Sequence, residues 1–325
     1  MQTSRGCPYV CSYCVNSLLR PLYKNLGHYT RRRSVSSTIT EIKKNLILSK
    51  HAINYVLFVD EVFGTDESWL NEFEVRYKKE IGLPFYVEYN PSLINSKVLN
   101  KLVNAGIHTI NFGIQTGSDY IRNSVFHRPG KNVEIVNVAN EIYSYGINVK
   151  YDLIIENPYD TEESLENAIS VLLQLPKPLS FNLYSLQYFP DYPLTLKAIK
   201  DGHIKKEDVS IDSLMQRTTK SWAFTPKLLP FNQRQKLQNV IWLVVWEYTI
   251  DTVVKYAVFN NSLVSKICLN CLNIQAIIFG KIVGVGGFAS KHVFIGYLIV
   301  ASKHILKGDI KSLYLKIKKR LLSRR

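Results

Sequence analysis

The sequence predicts an α/β architecture: a barrel or partial barrel of parallel strands over residues 1–200, then a basic, mainly helical C-terminal domain over 201–325. Three observations carry this. Short apolar runs alternate with helical patterns through the first 200 residues, which is the order of a parallel sheet with right-handed crossovers. Polar residues stand at the ends of those runs, where chemistry gathers in such sheets. Charge is divided unevenly: residues 201–325 hold 20 Lys+Arg and 7 Asp+Glu, +13 of the +15 total, which leaves +2 for the first 200. The boundary falls near Asp201-Gly202, after Phe189-Pro190-Asp191-Tyr192-Pro193.

Each element has its own signal. Residues 55–59 (YVLFV) form a short apolar run ending in Asp60-Glu61, as a buried parallel strand would. Residues 85–89 (FYVEY) are stopped by Asn90-Pro91, and runs at 108–114, 148–155 and 181–186 complete the strands. Between them lie helical patterns. Residues 96–105 carry Val98, Leu99, Leu102 and Val103, and 133–145 carry Ile135, Val136, Ala139 and Ile142. Gly106 and Gly146 sit where a helix ends in a left-handed residue.

Composition fits a cytoplasmic enzyme. The chain has 325 residues, 46% hydrophobic and 12% aromatic, enough to bury one large domain and a smaller one. Five cysteines, an odd number with three close together, do not make a secreted disulfide framework. The N-terminus has no basic region followed by an apolar run, so no signal peptide is expected. Only six residues precede Cys7, too few for a complete first strand and its turn.

Cys7, Cys11 and Cys14 stand as C-x3-C-x2-C within Thr3-Ser4-Arg5-Gly6-Cys7-Pro8-Tyr9-Val10-Cys11-Ser12-Tyr13-Cys14. Three thiolates on one short loop can hold three corners of a [4Fe–4S] cube, because soft sulfur suits iron. No fourth cysteine lies nearby, so the fourth iron would stay open to a ligand that is not protein. The competing reading is three buried structural cysteines, which does not explain their clustering.

The motif and those after it resemble the radical S-adenosylmethionine (SAM) superfamily. Phe58-Val59-Asp60-Glu61-Val62-Phe63 is similar to its acidic strand end. Gly113-Ile114-Gln115-Thr116-Gly117-Ser118-Asp119 is similar to its "GIQSG" segment, with Thr116 where Ser is usual and Asp119 where Glu is usual. Arg128 follows at the family's distance, and Tyr151-Asp152-Leu153-Ile154-Ile155-Glu156-Asn157-Pro158 resembles the next strand. The likeness covers residues 1–200 and implies a partial (β/α)6 TIM-type barrel. The phrases "TSRGCPYVCSYC" and "LPFYVEYNP" resemble the branch that carries an N-terminal cobalamin-binding domain. The D-x-H-x-x-G loop of such a domain does not occur here, so cobalamin would come only through another chain, or the domain is lost, or the frame is a fragment.

The resemblance implies the roles. A cluster on the three cysteines would chelate the methionine part of SAM and reductively cleave it to a 5′-deoxyadenosyl radical, which abstracts hydrogen from a substrate for methylation or another radical modification. Asp60 and Glu61 would lie near the methionine ammonium, and Arg128 would pair with its carboxylate. Glu88, Gln115 and Asp152 would meet the ribose hydroxyls, Thr116 would join the same cofactor set, and Tyr13 would stack on adenine. For any one of these residues the alternative is a salt bridge or strand cap. A reductant such as flavodoxin or ferredoxin is the implied partner.

The C-terminal domain says less. Residues 241–259 read as one core-facing amphipathic helix. Residues 267–280 carry no charge but number only 14, and 282–301 carry Lys291 and His292 mid-run, so no spanning helix is expected. Cys268-x2-Cys271 has no further ligand at zinc spacing and is expected to be buried thiols rather than an auxiliary cluster or zinc site. Leu306, Ile310, Leu313, Ile317 and Leu321 form a stripe among lysines and arginines. Such a helix can lie on an anionic inner membrane surface, which would suit a lipophilic substrate, or pack on the domain. Two other functions remain open: a radical SAM RNA-modifying enzyme, since net +15 suits a polyanion, and a cluster-binding fragment that is catalytically impaired.

Overall fold

The structure is a computed structural model and describes residues 1–49, 51–209, 223–229 and 232–283. The elements are β1 (Ser4–Arg5), α1 (Asn16–Leu22), β2 (Arg31–Arg32), α2 (Val35–Leu48), β3 (Val56–Leu57), α3 (Glu67–Glu80), β4 (Phe85–Tyr89), α4 (Ser96–Ala105) and β5 (Ile107–Gln115). They continue as α5 (Asn132–Ser144), β6 (Asn148–Ile155), α6 (Glu162–Gln174), β7 (Phe181–Ser185), α7 (Pro193–Lys200), α8 (Gln233–Val245), α9 (Asp251–Phe259) and α10 (Leu263–Val283).

Strands β3 to β7 form a parallel sheet in sequential order, curled into a half-barrel. The strands predicted at 85–89 and 148–155 match β4 and β6 to the residue, and the helix at 96–105 matches α4. Five strands, not six, are assigned to this sheet among the described residues. β1 instead pairs antiparallel with β2. Beside β3, the Met1 amine donates to Leu57 O and Val59 N donates to Met1 O, each at 2.9 Å, the pattern a parallel neighbour makes.

Local chemistry explains the element ends. Asp66 and Asn95 cap α3 and α4 by accepting from Trp69 N at 2.7 Å and Val98 N at 3.1 Å. Gly106 ends α4 in the left-handed region at φ 99°. Beneath the sheet, Phe58, Phe63, Phe73, Tyr77 and Phe85 form an aromatic nest with centroids 4.8–6.2 Å apart. The core runs on without a break into α8 to α10: α8 stacks on α6, and α10 packs on α8 and α9. Past residue 222, Phe224 N donates to Leu183 O at 2.9 Å and Ala223 bridges Tyr184, closing part of the edge of β7.

The C-terminal part departs from expectation in three ways. Residues 241–259 are two helices, because Glu247 takes a left-handed φ of 53° after Trp246 ends α8, and accepts from Leu179 N at 3.0 Å. The uncharged run at 267–280 lies inside a helix of 21 residues, begun where Ser262 Oγ accepts from Ser265 N. By length and composition α10 could cross a membrane, the one described helix of which that holds. Cys271 is exposed and Cys268 half-buried, so the pair are not two buried thiols. The apolar run past 283 and the stripe from Leu306 to Leu321 lie outside the described residues.

Candidate active site

The cysteine loop is built tightly against the barrel mouth. Gly6, at φ 84°, turns the chain out of β1, and a Cβ there would stand 2.5 Å from Tyr29 O, so no larger residue fits. Ser12 fastens the loop: its N–H donates to Phe126 O at 2.9 Å, its hydroxyl donates to Val125 O at 2.6 Å, and its carbonyl accepts from Leu194 N at 3.0 Å. Tyr13 packs edge-on against Phe126 at 4.9 Å. Asn16 Nδ2 lies 3.6 Å from Cys14 Sγ and its Oδ1 accepts from the Tyr29 hydroxyl.

Two arginines organise the chain after β5. Arg122, on a single π-helical turn at Ile121–Val125, is fully buried. It donates to Ile114 O, Asp119, Thr116 O and Asn132, with 2.6 Å to Asp119 Oδ1 and to Asn132 Oδ1. Burial would lower its pKa, and Asp119 offsets part of this. Gly117 lets this loop lie on α6, since a Cβ would stand 2.2 Å from Ala168 N. Arg128 donates to Gly113 O at 3.2 Å and faces Cys11 and Tyr13. Burial pushes the Cys7 thiol up to about 11 and raises Cys11, which Arg128 draws back down.

Inside the half-barrel a polar ladder crosses four strands. The Tyr86 hydroxyl donates to Glu88 at 2.5 Å; Asn111 Nδ2 donates to Glu88 at 2.6 Å and to Asp152 at 3.0 Å; Asn182 donates to Asp152 at 2.7 Å. Burial raises the Glu88 carboxyl, against the hydrogen bonds from Tyr86 and Asn111. The buried Oδ1 of Asn111 has no partner. A cavity of about 320 Å³ opens above the ladder, lined by Tyr13, Gln115, Asp152, Tyr184 and Phe189 among others.

The structure thus gathers most of the sequence-derived residues at one end of the sheet. Cys7, Cys11, Cys14, Tyr13 and Arg128 surround the loop; Gln115 and Asp152 line the cavity, and Glu88 joins them through Asn111. Three do otherwise. Asp60 is buried and engaged by the segment before the cysteine loop, accepting from Thr3 N at 3.0 Å, from Thr3 Oγ1 at 2.9 Å and from Ser4. Glu61 is exposed, near enough to Tyr29 to raise it after burial. Thr116 shapes the turn, its hydroxyl accepting from Ser118 N at 3.2 Å. Asn111, Arg122 and Ser12 are the residues that sequence reasoning passed over; only the polar Asn111 in the apolar run at 108–114 gave a signal.

Three free thiols within electrostatic reach of one another, beside an arginine, fit an iron–sulfur cluster as donor set. Among the described residues no three His, Cys, Asp or Glu side chains, the three cysteines included, are drawn together closely enough to hold a single metal ion. The unpartnered Asn111 oxygen fits a ligand that brings hydroxyl donors into the barrel.

An uncharacterized methyltransferase of Pyrococcus horikoshii is 24% identical over 251 residues, 70% of this chain and 52% of its own length. The hopanoid C-2 methylase of Rhodopseudomonas palustris is 27% identical over 215 residues, 64% of this chain and 39% of its own. The chain therefore spans about half or less of these relatives. In fold it is similar to OxsB, a cobalamin-dependent SAM radical enzyme solved with aqua-cobalamin and SAM, with TM-score 0.58 and 14% identity, covering 99% of this chain and 55% of OxsB. The radical SAM methyltransferase TsrM of Kitasatospora setae, solved with cobalamin and a [4Fe-4S] cluster, gives TM-score 0.53 at 13% identity over 86% of this chain and 60% of TsrM. The family model described as the radical SAM superfamily matches residues 1–172. With more than half of its length matched, and with the cysteine loop at the mouth of a parallel half-barrel, the chain belongs to the radical SAM superfamily of enzymes.

Proposed function

We propose that the chain holds a [4Fe–4S] cluster on Cys7, Cys11 and Cys14 and binds SAM between that loop and the polar ladder. One electron from the reduced cluster would break a C–S bond of SAM, giving methionine and a 5′-deoxyadenosyl radical that takes a hydrogen atom from the substrate. The observation that carries this reading is the convergence of the thiol loop, Arg128 and the cavity at the C-terminal ends of β5 to β7. Arg128 would orient the methionine carboxylate, and Tyr13 would wall the adenine side. Gln115, Asp152 and Asn111 would meet hydroxyls, the last with its open Oδ1. Modification by methyl transfer is the outcome the relatives' names favour, with cobalamin supplied through another chain or another part of a longer one.

The electron would come from an acidic carrier of the flavodoxin or ferredoxin type. The first 40 residues hold six Lys+Arg and no Asp or Glu. Arg5 and Arg31 are exposed and stand directly opposite each other in the β1–β2 pair, and neither pairs with a carboxylate among the described residues. Like charges so placed repel, which an acidic partner would relieve.

The test is anaerobic reconstitution followed by dithionite and SAM. One cluster per chain and slow release of 5′-deoxyadenosine are expected, and Cys7→Ala, Cys11→Ala or Cys14→Ala should each abolish both. A cluster lost only when Cys268 and Cys271 are changed would overturn the assignment.

A further inference from the structure

The outer face of α10 is apolar along four turns. Val264, Ile267, Cys271, Ile274 and Ile278 recur at three- and four-residue steps, and Ile267, Ile274 and Ile278 are 53%, 52% and 49% exposed. The opposite face is fixed to the protein. Leu269, Leu272, Ala276 and Ile277 enter or flank the core, Asn273 accepts from Asn239 Nδ2 at 2.7 Å, and Gln275 donates to Tyr248 O at 2.9 Å. The α9 helix packs against α10 and exposes Ile250 at its cap, Val253, Tyr256 and Phe259. Monomeric soluble proteins rarely leave apolar rows of this length uncovered.

Charge says what covers it. Across the described residues 251–283 there are three Lys+Arg and one Asp+Glu, a difference of +2. The one acid, Asp251, is neutralised by Lys177 at 2.7 Å. Lys255 and Lys266 are exposed on α9 and α10, and neither forms an ion pair among the described residues. An apolar strip bordered by cations alone matches a bilayer with anionic headgroups, which takes apolar side chains below the headgroup level and neutralises lysines at it. With its inner face bonded to Asn239 and Tyr248 of the folded core, α10 would lie along such a surface rather than across it.

We propose that the outer faces of α9 and α10 form a lipid-binding surface that seats the enzyme on an anionic membrane. This differs from a contact made by the basic stripe at residues 306–321 alone, because the described helices would suffice to direct the enzyme to lipid. It does not depend on the cluster, so its failure leaves the reaction reading untouched.

The test is co-sedimentation of the whole chain with phosphatidylglycerol-containing vesicles and with phosphatidylcholine vesicles, at low and high salt. Binding to the anionic vesicles, weakened by salt and reduced at least tenfold by Ile267→Glu with Ile274→Glu, is the expected result. Lys255→Glu with Lys266→Glu should also weaken it, and far-UV circular dichroism checks that each variant stays folded. Equal recovery of wild type and both folded variants would overturn the proposal. So would a concentration-dependent dimer that the isoleucine changes abolish without any lipid binding, which would make this face a contact between copies.

Discussion

The carboxylate of Asp60 holds Thr3 twice, from the backbone N–H at 3.0 Å and from the hydroxyl at 2.9 Å, and takes both donors of Ser4 as well. The strand end that resembles an acidic cofactor contact is therefore a clamp on the segment that leads into the cysteine loop. Only two residues, Arg5 and Gly6, separate that clamped pair from Cys7.

Asp60→Asn should act through the loop. The variant places an amide N–H among backbone and hydroxyl donors, and hydrogen bonds to a charged acceptor contribute about 1.5–3 kcal/mol each. Thermal stability and cluster content per chain are expected to fall, while the SAM dissociation constant, measured per loaded cluster, stays within about twofold. A stable, fully loaded variant with a much weaker SAM affinity would make Asp60 a cofactor contact after all.

Arg128 is expected to behave differently. Its guanidinium faces Cys11 and Tyr13, and Tyr13 in turn lines the cavity; a charge-assisted bond to the methionine carboxylate would contribute about 1.5–3 kcal/mol, or roughly 10- to 100-fold in affinity. Arg128→Ala should raise the SAM dissociation constant by that factor, with Arg128→Lys intermediate because it keeps charge and loses the fork. An unchanged constant in a cluster-loaded Arg128→Ala protein would remove Arg128 from SAM binding.

The barrel was legible in the sequence because its strands are short apolar runs between capped helices, and periodicity reports burial directly. Residues 85–89, 96–105 and 148–155 are found where they were expected. What sequence could not give was the direction of side chains at the strand ends. Asp60 and Glu61 are neighbours, yet one turns into the protein and the other out. Arg122 was invisible because its importance lies in four partners from three segments, joined only by a π-helical turn that leaves no periodic trace. The break at Glu247 was hidden for a related reason: a left-handed residue bonded to Leu179 interrupts an otherwise continuous apolar pattern.

Asp160 supplies a pH test of the fold. It is buried in the turn before α6, and burial raises its carboxyl from 3.8 to about 7, against the hydrogen bond from Ser164 at 3.1 Å and the charge of Arg234. The folded state thus favours the neutral acid. Its contribution to stability is full below about pH 4 and is lost as pH rises through about 7, at most ~4 kcal/mol in all. Asp160→Asn keeps an acceptor for Ser164 without the charge. Urea midpoints for the wild type should fall relative to the variant between pH 4.5 and 8. Parallel curves would mean that Asp160 is ionised without cost.

The last prediction concerns electron delivery. Arg5 and Arg31 stand opposed and exposed in the β1–β2 pair, two residues from Cys7 in the case of Arg5. Arg31 and Arg32 lie over the rings of Tyr23 and Trp69 at 5.1 and 5.0 Å and Arg33 is paired with Glu41, but of these three only Arg31 is exposed, so Arg5 and Arg31 are the open guanidiniums of the β1–β2 pair. Clefts and patches of one sign raise encounter rates with opposite charges by about 10- to 1,000-fold, and salt screens the effect. Arg5→Glu with Arg31→Glu should slow cluster reduction by reduced flavodoxin at least tenfold at low ionic strength. The difference should shrink at high salt, and reduction to completion by excess dithionite should be unchanged. If flavodoxin reduces the doubly reversed variant at the wild-type rate, the carrier docks elsewhere; if dithionite also fails, the substitutions have damaged the loop and the comparison is repeated with Arg5→Gln and Arg31→Gln, for which the same low-salt slowing is required.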